Sequence, residues 1–329
     1  MVMREVAAMF PSPPGGGCPE GAGEGTTVST ATRVPSPPAP PPAGEGRARL
    51  AGFLQSATAR LQQALGLDRR EARLEAQILS AHALGVERSW LIAHDRDVLT
   101  TAQAKEIEIL MVRREVGEPV AYILGEKEFY GRMFKVNTDV LIPRAETELL
   151  VEAALARLPK DRPTRILDLG TGSGCIAITL ALVCPRCIVS AVDRSPAALA
   201  IAQGNAATLG ARVEFRASNW FGDLLGEAFD IIVANPPYVP ASAKELTEGD
   251  VRYEPRSALT AGDAGLDDLT HIAREAPRHF LPGGWLMVEH GWNQGEACRN
   301  LFGSQGFVDV LTLGDLAGHD RVTLGRQPK

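Results

Sequence analysis

Residues 165–174 read RILDLGTGSG and are the most informative stretch of the chain for its fold class. The first five residues are predicted to form a strand, and three glycines alternate through the five that follow. Glycine accepts the left-handed backbone of a tight turn and lets a ligand approach the main chain. A helical segment begins at about Cys175, so the loop lies at the positive end of a helix. The pattern predicts a strand, a ligand-binding loop and a helix in succession.

Outward from this loop, strand-like and helix-like segments alternate from Pro143 to the end of the chain. The seven predicted strands are RILDLG, CIVSAVD, VEFRAS, FDIIVAN, GGWLMVEH, FVDVLTL and DRVTLGR. The helical segments between them are TELLVEAALARL, GCIAITLALVC, SPAALAIAQGNAATLG and DDLTHIAREAPRHF. Such alternation is typical of a doubly wound α/β domain. We therefore predict a Rossmann-like, seven-stranded, mostly parallel sheet over residues 143–329.

Three further segments precede this domain. Residues 47–117 carry apolar positions at three- and four-residue spacing, which predicts a small helical domain. Residues 118–142 combine aromatic and β-branched residues with two glycines, which indicates a β-hairpin linker. Residues 1–46 contain ten prolines and eight glycines, too little apolar material to offset the entropy of ordering. We expect this tail to be disordered.

Charge and composition exclude several classes of protein. The net charge is −6, of which −5 falls in residues 143–329, so no basic stripe for a long nucleic-acid surface is visible. No stretch approaches the roughly 20 apolar residues of a membrane span. Five cysteines form no disulfide framework, and the CxxC pair Cys184 and Cys187 is expected in a turn. These features favour a cytoplasmic protein without a metal site.

Two classes of ligand suit the glycine loop, a dinucleotide and S-adenosylmethionine. Asp193 ends the next strand, where a carboxylate can accept both ribose hydroxyls of either ligand. The dinucleotide pattern requires a glycine at position 175, which is Cys175 here. Asp168 would sit poorly beside a pyrophosphate but could orient the cationic methionine end of S-adenosylmethionine. The loop residues expected to bind that cofactor are Gly170, Thr171, Gly172, Ser173 and Gly174.

The ends of the third and fourth strands complete the predicted site. Asn219 and Trp220 follow the third strand, where the indole could pack against adenine. The fourth strand, IIVA, runs into Asn235, Pro236, Pro237 and Tyr238. The Asn235 oxygen and a backbone carbonyl, that of Pro236, can accept the two hydrogens of an –NH₂ group, while Tyr238 packs over its plane. A nitrogen held in this way is aimed at a methyl donor, so the tetrad predicts N-methylation.

With DLGTGSG, Asp193 and NPPY in register, the chain resembles the peptide-chain release factor glutamine N5-methyltransferase family from about residue 50 to 327. GEPVAYILGEKEFYG, VLIPRAETE, GDVRYEP, VEHGW and HDRVTLGR also carry the resemblance. It implies a class I S-adenosylmethionine-dependent fold, and as substrate the glutamine of the GGQ loop in class-1 release factors, docked partly by the helical domain. It further implies that the glycine loop, Asp193, Trp220 and Asn235 contact the cofactor and that residues 235–238 hold the glutamine. Two positions depart from the family: Asn219 replaces an aspartate and Ala145 a proline.

Other functions remain open at this point. NPPY is shared with adenine-N6 methyltransferases acting on DNA or RNA, which must expose and unstack their base. The acidic sheet domain disfavours that class. A non-catalytic S-adenosylmethionine-binding protein is disfavoured by the intact NPPY, and a dehydrogenase ranks last. We therefore expect a release factor as partner, with neither nucleic acid nor membrane.

Overall fold

The computed structural model describes residues 49–159 and 162–329. The tail 1–46, for which the sequence predicts disorder, lies outside the described residues. No helix within the described ranges is long and apolar enough to cross a bilayer.

The first described segment folds as four helices around a shared apolar core. Asp68 caps the second helix by accepting hydrogen bonds from two backbone amides of its first turn. Gly66 and Gly85 end the first two helices in left-handed backbone, as the sequence predicts. Leu61 and Ile107 are fully buried between the helices. The helices are α1 (Leu50–Leu65), α2 (Arg69–Leu84), α3 (Arg88–Ala93) and α4 (Thr101–Glu115).

A two-stranded antiparallel hairpin follows within residues 118–142. Its strands are β1 (Glu126–Phe129) and β2 (Arg132–Lys135). The short helix α5 (Val120–Leu124) precedes it and was not predicted. This helix is fixed by the Tyr122 hydroxyl, which donates to the Val140 carbonyl oxygen at 2.7 Å.

The remaining chain forms one seven-stranded sheet flanked by helices, which confirms the predicted fold class. The strands are β3 (Arg165–Leu169), β4 (Ile188–Asp193), β5 (Val213–Ala217), β6 (Phe229–Ala234), β7 (Phe280–Glu289), β8 (Val308–Gly314) and β9 (Asp320–Arg326). Their order in the sheet is β5-β4-β3-β6-β7-β9-β8, with parallel pairs from β5 to β7 and antiparallel pairs at β9. The helices are α6 (Glu148–Leu155), α7 (Cys175–Val183), α8 (Pro196–Leu209), α9 (Asp267–Glu275) and α10 (Gly295–Ser304).

The strand order places the two predicted motifs side by side. From β3 the chain adds β4 and β5 on one side, and then β6 and β7 on the other, so the order reverses between β3 and β6. Open α/β sheets bind ligands outside the carboxyl ends of their strands at such a reversal. The glycine loop follows β3 and NPPY follows β6, so both lie at this edge.

Arg114 joins the helical segment to the sheet domain. It is 3% exposed; its Nε donates to Glu75 in α2, and its Nη1 donates to Asp250, in a turn after NPPY, each at 2.8 Å. Tyr253 in the same turn donates its hydroxyl to the Val116 carbonyl oxygen at 2.7 Å. The chain that follows NPPY is thereby fixed against the end of α4.

Replacing Arg114 with alanine is expected to lower the free energy of unfolding by about 3 kcal/mol, because it strands the Glu75 carboxylate in a partly buried position. Arg60 provides the control: it also pairs with two carboxylates, those of Glu108 and Glu115, but its side chain is 34% exposed. Arg60→Ala should lower stability by about 1 kcal/mol or less. Chemical denaturation of both variants measures the difference. Equal losses of unfolding free energy would contradict the prediction that the buried Arg114 pair contributes more to stability than the exposed Arg60 pairs.

The CxxC segment differs from its sequence interpretation in one respect. Cys184 and Cys187 lie in the predicted turn between α7 and β4, but their sulfur atoms are joined as a disulfide. Spacing alone suggested two unpaired thiols. Cys175 and Cys298 are free and buried.

Candidate active site

The glycine loop between β3 and α7 has three residues in left-handed backbone. Gly170, Gly172 and Gly174 have φ angles of 70°, 55° and 82°. The Gly170 amide donates to the Val192 carbonyl oxygen at 2.9 Å, which ties the loop to β4. A Cβ on Gly174 would lie 3.1 Å from the Ala202 Cβ, so glycine is what lets α8 approach the start of α7 this closely.

A cleft opens beside this loop at the carboxyl edge of the sheet. Its walls come from the segment before α6, from the ends of β3 to β6, and from the chain after NPPY. The lining residues are Asp139, Val140, Leu141, Pro143, Arg144, Thr147, Gly170, Thr171, Gly172, Ser173, Cys175, Ile176, Asp193, Arg194, Ser195, Ala198, Ser218, Asn219, Trp220, Asn235, Pro237, Pro255, Ser257 and Ala258. The structure thus brings most of the predicted site residues to one cavity.

Asp193 is held in a fixed orientation at the end of β4. Its two carboxylate oxygens accept hydrogen bonds from the Gly172 and Ser195 amides, each at 2.9 Å. The carboxylate still lines the cleft, so it can accept further hydrogen bonds there. This geometry suits two neighbouring hydroxyls of a ribose.

Asp168 lies behind the glycine loop, outside the cleft lining. It is fully buried, and its Oδ2 accepts a hydrogen bond from the Thr171 hydroxyl at 2.6 Å. Its Oδ1 has no hydrogen-bond partner among the described residues. Burial raises the Asp168 pKa to about 7, an effect that the Thr171 hydroxyl partly offsets. In this structure Asp168 therefore contacts the glycine loop and not the cleft.

Trp220 and Asn219 form the wall after β5. Trp220 has a φ of 53°, unusual for a bulky residue, and its backbone oxygen accepts from the Ser218 hydroxyl at 2.9 Å. The indole Nε1 donates to Asp268 at 3.2 Å, and the ring lies against Gly170. The aromatic surface predicted beside the adenine is thus fixed at its polar end.

Asn235 presents an unused acceptor. Its Nδ2 donates to the Thr147 hydroxyl oxygen at 3.2 Å. Its Oδ1 is buried and has no hydrogen-bond partner within residues 49–159 and 162–329. Leaving a buried amide oxygen unpaired costs about 1–3 kcal/mol, so an unpaired one in a cleft is a candidate ligand contact.

The other NPPY residues differ in whether they line the cleft. Pro237 lines the cleft, whereas Pro236 and Tyr238 are not part of its lining. The Tyr238 hydroxyl donates to Glu289 at 3.4 Å, and its ring packs against the apolar cluster below β6 and β7. The sequence predicted a ring over the substrate plane; here the ring supports the strand end from behind.

Sequence patterns assigned no role to three buried polar residues beside the cleft: Thr147, Glu254 and Glu289. Glu254 is 3% exposed, accepts the Ile142 amide at 2.9 Å and pairs with Arg144. It therefore holds the segment before α6 against the chain after NPPY. Only the resemblance pointed to these positions, through VLIPRAETE, GDVRYEP and VEHGW.

Two buried carboxyls predict an unusual pH dependence of stability. Burial raises the pKa of Asp168 and of Glu289 to about 7 each. Between about pH 7 and the ordinary carboxyl range the folded chain binds more protons than the unfolded chain, so these groups make stability rise as pH falls. Asp168→Asn and Glu289→Gln should each flatten that rise in denaturation curves between about pH 5 and pH 8. A slope unchanged in both variants would contradict the prediction.

The residues of the cleft fit S-adenosylmethionine. A Cβ on Gly172 would meet no atom within 4 Å, so the space above the loop is open to a ligand. Asp193 offers a carboxylate for ribose hydroxyls, and Trp220 an aromatic surface for adenine. The unpaired Asn235 oxygen adds an acceptor at the far wall.

Two family models match the chain. The PrmC N-terminal domain covers residues 53–125, and the Methyltransferase small domain covers residues 145–250. Together with the observed sheet, they make the fold that of a class I S-adenosylmethionine-dependent methyltransferase, as predicted.

Curated relatives extend the match over most of the chain. Release factor glutamine methyltransferases from Bordetella pertussis, Salmonella typhimurium and Escherichia coli are 49%, 48% and 45% identical to it. The alignments cover 77%, 79% and 77% of this chain and 94%, 94% and 92% of those proteins. The resemblance found in the sequence is therefore confirmed: the chain belongs to the release factor glutamine methyltransferase family.

Proposed function

We propose that this protein methylates the side-chain amide nitrogen, N5, of the glutamine in the GGQ motif of class-1 peptide chain release factors. The names of its relatives support the reaction and the substrate protein. The observation that carries the proposal is the buried, unpaired Oδ1 of Asn235. An –NH₂ group is the partner that such an acceptor lacks.

In the proposed mechanism the NPPY segment holds the glutamine amide by its hydrogens. Asn235 Oδ1 accepts one N–H and the backbone carbonyl of Pro236 accepts the other. Proline fixes φ, so the direction of that carbonyl is preset. Pro237 borders the amide in the cleft, and Tyr238 supports the segment from behind. Both acceptors stabilise the positive charge that grows on nitrogen as it attacks, and they hold it in line for transfer.

When bound, S-adenosylmethionine would supply a methyl group carried on a sulfonium, whose sulfur is left as a neutral thioether. The new bond joins the amide nitrogen to the methyl carbon, and one amide proton is released. We assign binding of the cofactor to the glycine loop, Asp193, Trp220 and Asn235, with Asn219 beside the adenine. Asp168 takes part through the loop that it holds. The residues of the glycine loop are Gly170, Thr171, Gly172, Ser173 and Gly174.

The domains divide the work in this proposal. The sheet domain, residues 143–329, carries the chemistry, and the hairpin linker, residues 118–142, joins it to the helical domain. The helical domain, residues 47–117, contributes to docking the release factor, in keeping with its match to the PrmC N-terminal domain. Arg114 sets the position of the helical domain relative to the chain after NPPY. We place the reaction in the cytoplasm, where translation ends.

The test is transfer of labelled methyl from S-adenosylmethionine to a purified class-1 release factor. The matched control is the same factor with its GGQ glutamine replaced by alanine, and duplex DNA is a third substrate. We expect label on the unmodified factor alone, located on the glutamine by peptide mass spectrometry.

Label on DNA with none on either release factor would overturn this assignment in favour of adenine-N6 methylation. Label on both release factors would place the methyl group on another residue. Cofactor binding without methyl transfer to any of the three substrates would indicate a protein that binds S-adenosylmethionine but does not catalyse methylation.

A further inference from the structure

The segment proposed to hold the glutamine contains two consecutive residues that cannot donate a backbone hydrogen bond. Pro236 and Pro237 have no N–H group, so neither can extend the ladder of β6. The regular pairing of that strand ends at Ala234, which lies opposite Leu169 on one side and Val288 on the other. The direction of the Pro236 carbonyl therefore depends on what holds the chain beyond the two prolines.

Gln294 holds the far end of this segment. Its Nε2 donates to the Tyr238 carbonyl oxygen at 3.1 Å and to the Gly265 carbonyl oxygen at 3.2 Å. Its Oε1 accepts the Gly291 amide at 2.8 Å. Gln294 is 8% exposed and comes directly before α10, so Tyr238 is tied to a segment 56 residues further along the chain.

The partners of Gln294 leave its amide one orientation. A backbone N–H can only donate, so the group that faces Gly291 must be the amide oxygen. A carbonyl oxygen can only accept, so the group that faces Tyr238 must be the NH₂ group. Turning the amide over would place donor against donor and acceptor against acceptor. Gln294 is therefore a fixed donor to the end of NPPY.

The loop before α9 lets the Tyr238 carbonyl reach this donor. A Cβ on Gly265 would lie 2.2 Å from the Tyr238 carbonyl oxygen, and the φ of Gly265 is 69°, so glycine is required there. The same loop accepts the next amide of the chain, because Val239 donates to the Leu259 carbonyl oxygen at 2.8 Å. Residues 259–265 and 291–294 thus hold the backbone just after the two prolines.

The chain between the sheet and this second anchor is stiff. Proline fixes φ at positions 236 and 237. A residue that precedes proline is kept out of the helical region, which restricts Asn235 and Pro236 as well. A displacement of Tyr238 is therefore transmitted to Asn235 and Pro236, because few rotations between them can absorb it.

We propose that Gln294 is a positioning residue for methyl transfer, which sets the direction of the Asn235 side chain and of the Pro236 carbonyl by holding the Tyr238 carbonyl. This inference rests on the proposed function and adds to it a residue outside the cleft lining. The substrate nitrogen must be aimed at the methyl carbon, and a misplacement of about 1 Å can lower a rate about 100-fold. Gln294 should therefore affect the rate of transfer and not the binding of either substrate.

The test replaces Gln294 with methionine, which has nearly the same shape but no amide. We expect kcat for methylation to fall roughly 10- to 100-fold, with the KM for the release factor and the Kd for S-adenosylmethionine nearly unchanged. Gln305→Met is the control, because Gln305 lies at the other end of α10, outside the cleft. Wild-type kcat in Gln294→Met, or a change in KM or Kd alone, would overturn the inference.

Gly265→Ala displaces the same carbonyl and leaves Gln294 in place, so it carries the test if the methionine variant does not fold. Its kcat should fall in the same way, with KM and Kd again nearly unchanged. Gly210→Ala is the control for alanine in left-handed backbone, since Gly210 has a φ of 72° and no atom within 4 Å of an added Cβ. Equal kcat in the two alanine variants would overturn the inference.

A double-substitution cycle with Asn235→Ala separates positioning from a general loss of stability. Because Gln294 acts partly through Asn235, Gln294→Met should lower kcat by a smaller factor once Asn235 is alanine. Full additivity of the two effects would overturn the inference.

The identity of the methylated substrate separates this inference from the proposed function. If methyl enters DNA rather than the release factor, and Gln294→Met lowers the kcat of that transfer, the substrate assignment fails while the positioning role stands. If Gln294→Met methylates the release factor at the wild-type kcat, the substrate assignment stands and the positioning role fails.

Discussion

Replacing Asn235 with alanine is expected to lower kcat for release-factor methylation by about 100- to 1,000-fold, the usual effect of removing one preorganised hydrogen-bonding group from a reacting centre. The glutamine nitrogen would lose the acceptor that both orients it and stabilises its growing charge. Asn235 directly follows the buried strand β6, so its side chain is placed by the end of the sheet.

Single-turnover methylation measures this effect free of product release, and calorimetry gives the cofactor affinity separately. Asn300→Ala is the matched control, because Asn300 is exposed on α10, away from the cleft. Asn235→Ala with full activity would contradict the proposed hold on the glutamine. A loss of cofactor affinity with unchanged methyl transfer would indicate that Asn235 contacts the cofactor and not the substrate.

Replacing Gly172 with valine is expected to weaken S-adenosylmethionine binding by at least about 100-fold. Gly172 has a φ of 55° and lines the cleft, and a side chain there would occupy the open space above the loop. A valine in left-handed backbone also adds strain of about 1–3 kcal/mol. The loss of affinity must therefore be separated from a loss of stability.

Gly210→Val provides that separation. Gly210 caps α8 with a φ of 72°, and a Cβ there would likewise meet no atom within 4 Å, but it lies outside the cleft. The two variants should lose similar stability in thermal unfolding, whereas only Gly172→Val should lose cofactor affinity in calorimetry. Equal affinities of the two variants for S-adenosylmethionine would show that the glycine loop is not part of the cofactor site.

The sheet and its ligand-binding loop could be predicted from short stretches of sequence, because strand burial and the turns after the strands depend on the residues of those stretches. β3 and β6 are buried along nearly their whole length and rich in apolar residues, since a central parallel strand is covered on both faces. Gly170 and Asn235 directly follow these strands, where backbone freedom and a polar group are needed. The same patterns predicted the capped helices α1 and α2. They missed α5, whose five residues are too few for a helical period to be visible.

Local sequence patterns were sufficient to locate the seven strands, the glycine loop and the motif after β6, and the resemblance identified the family. The surroundings of each motif residue could be read only from the folded chain, because burial and hydrogen-bond partners depend on segments distant in the sequence. Thr147 meets Asn235 across 88 residues, and Arg114 meets Asp250 across 136. The orientation of the Asn235 amide and the raised pKa of Glu289 arise from such packing, which no local pattern encodes.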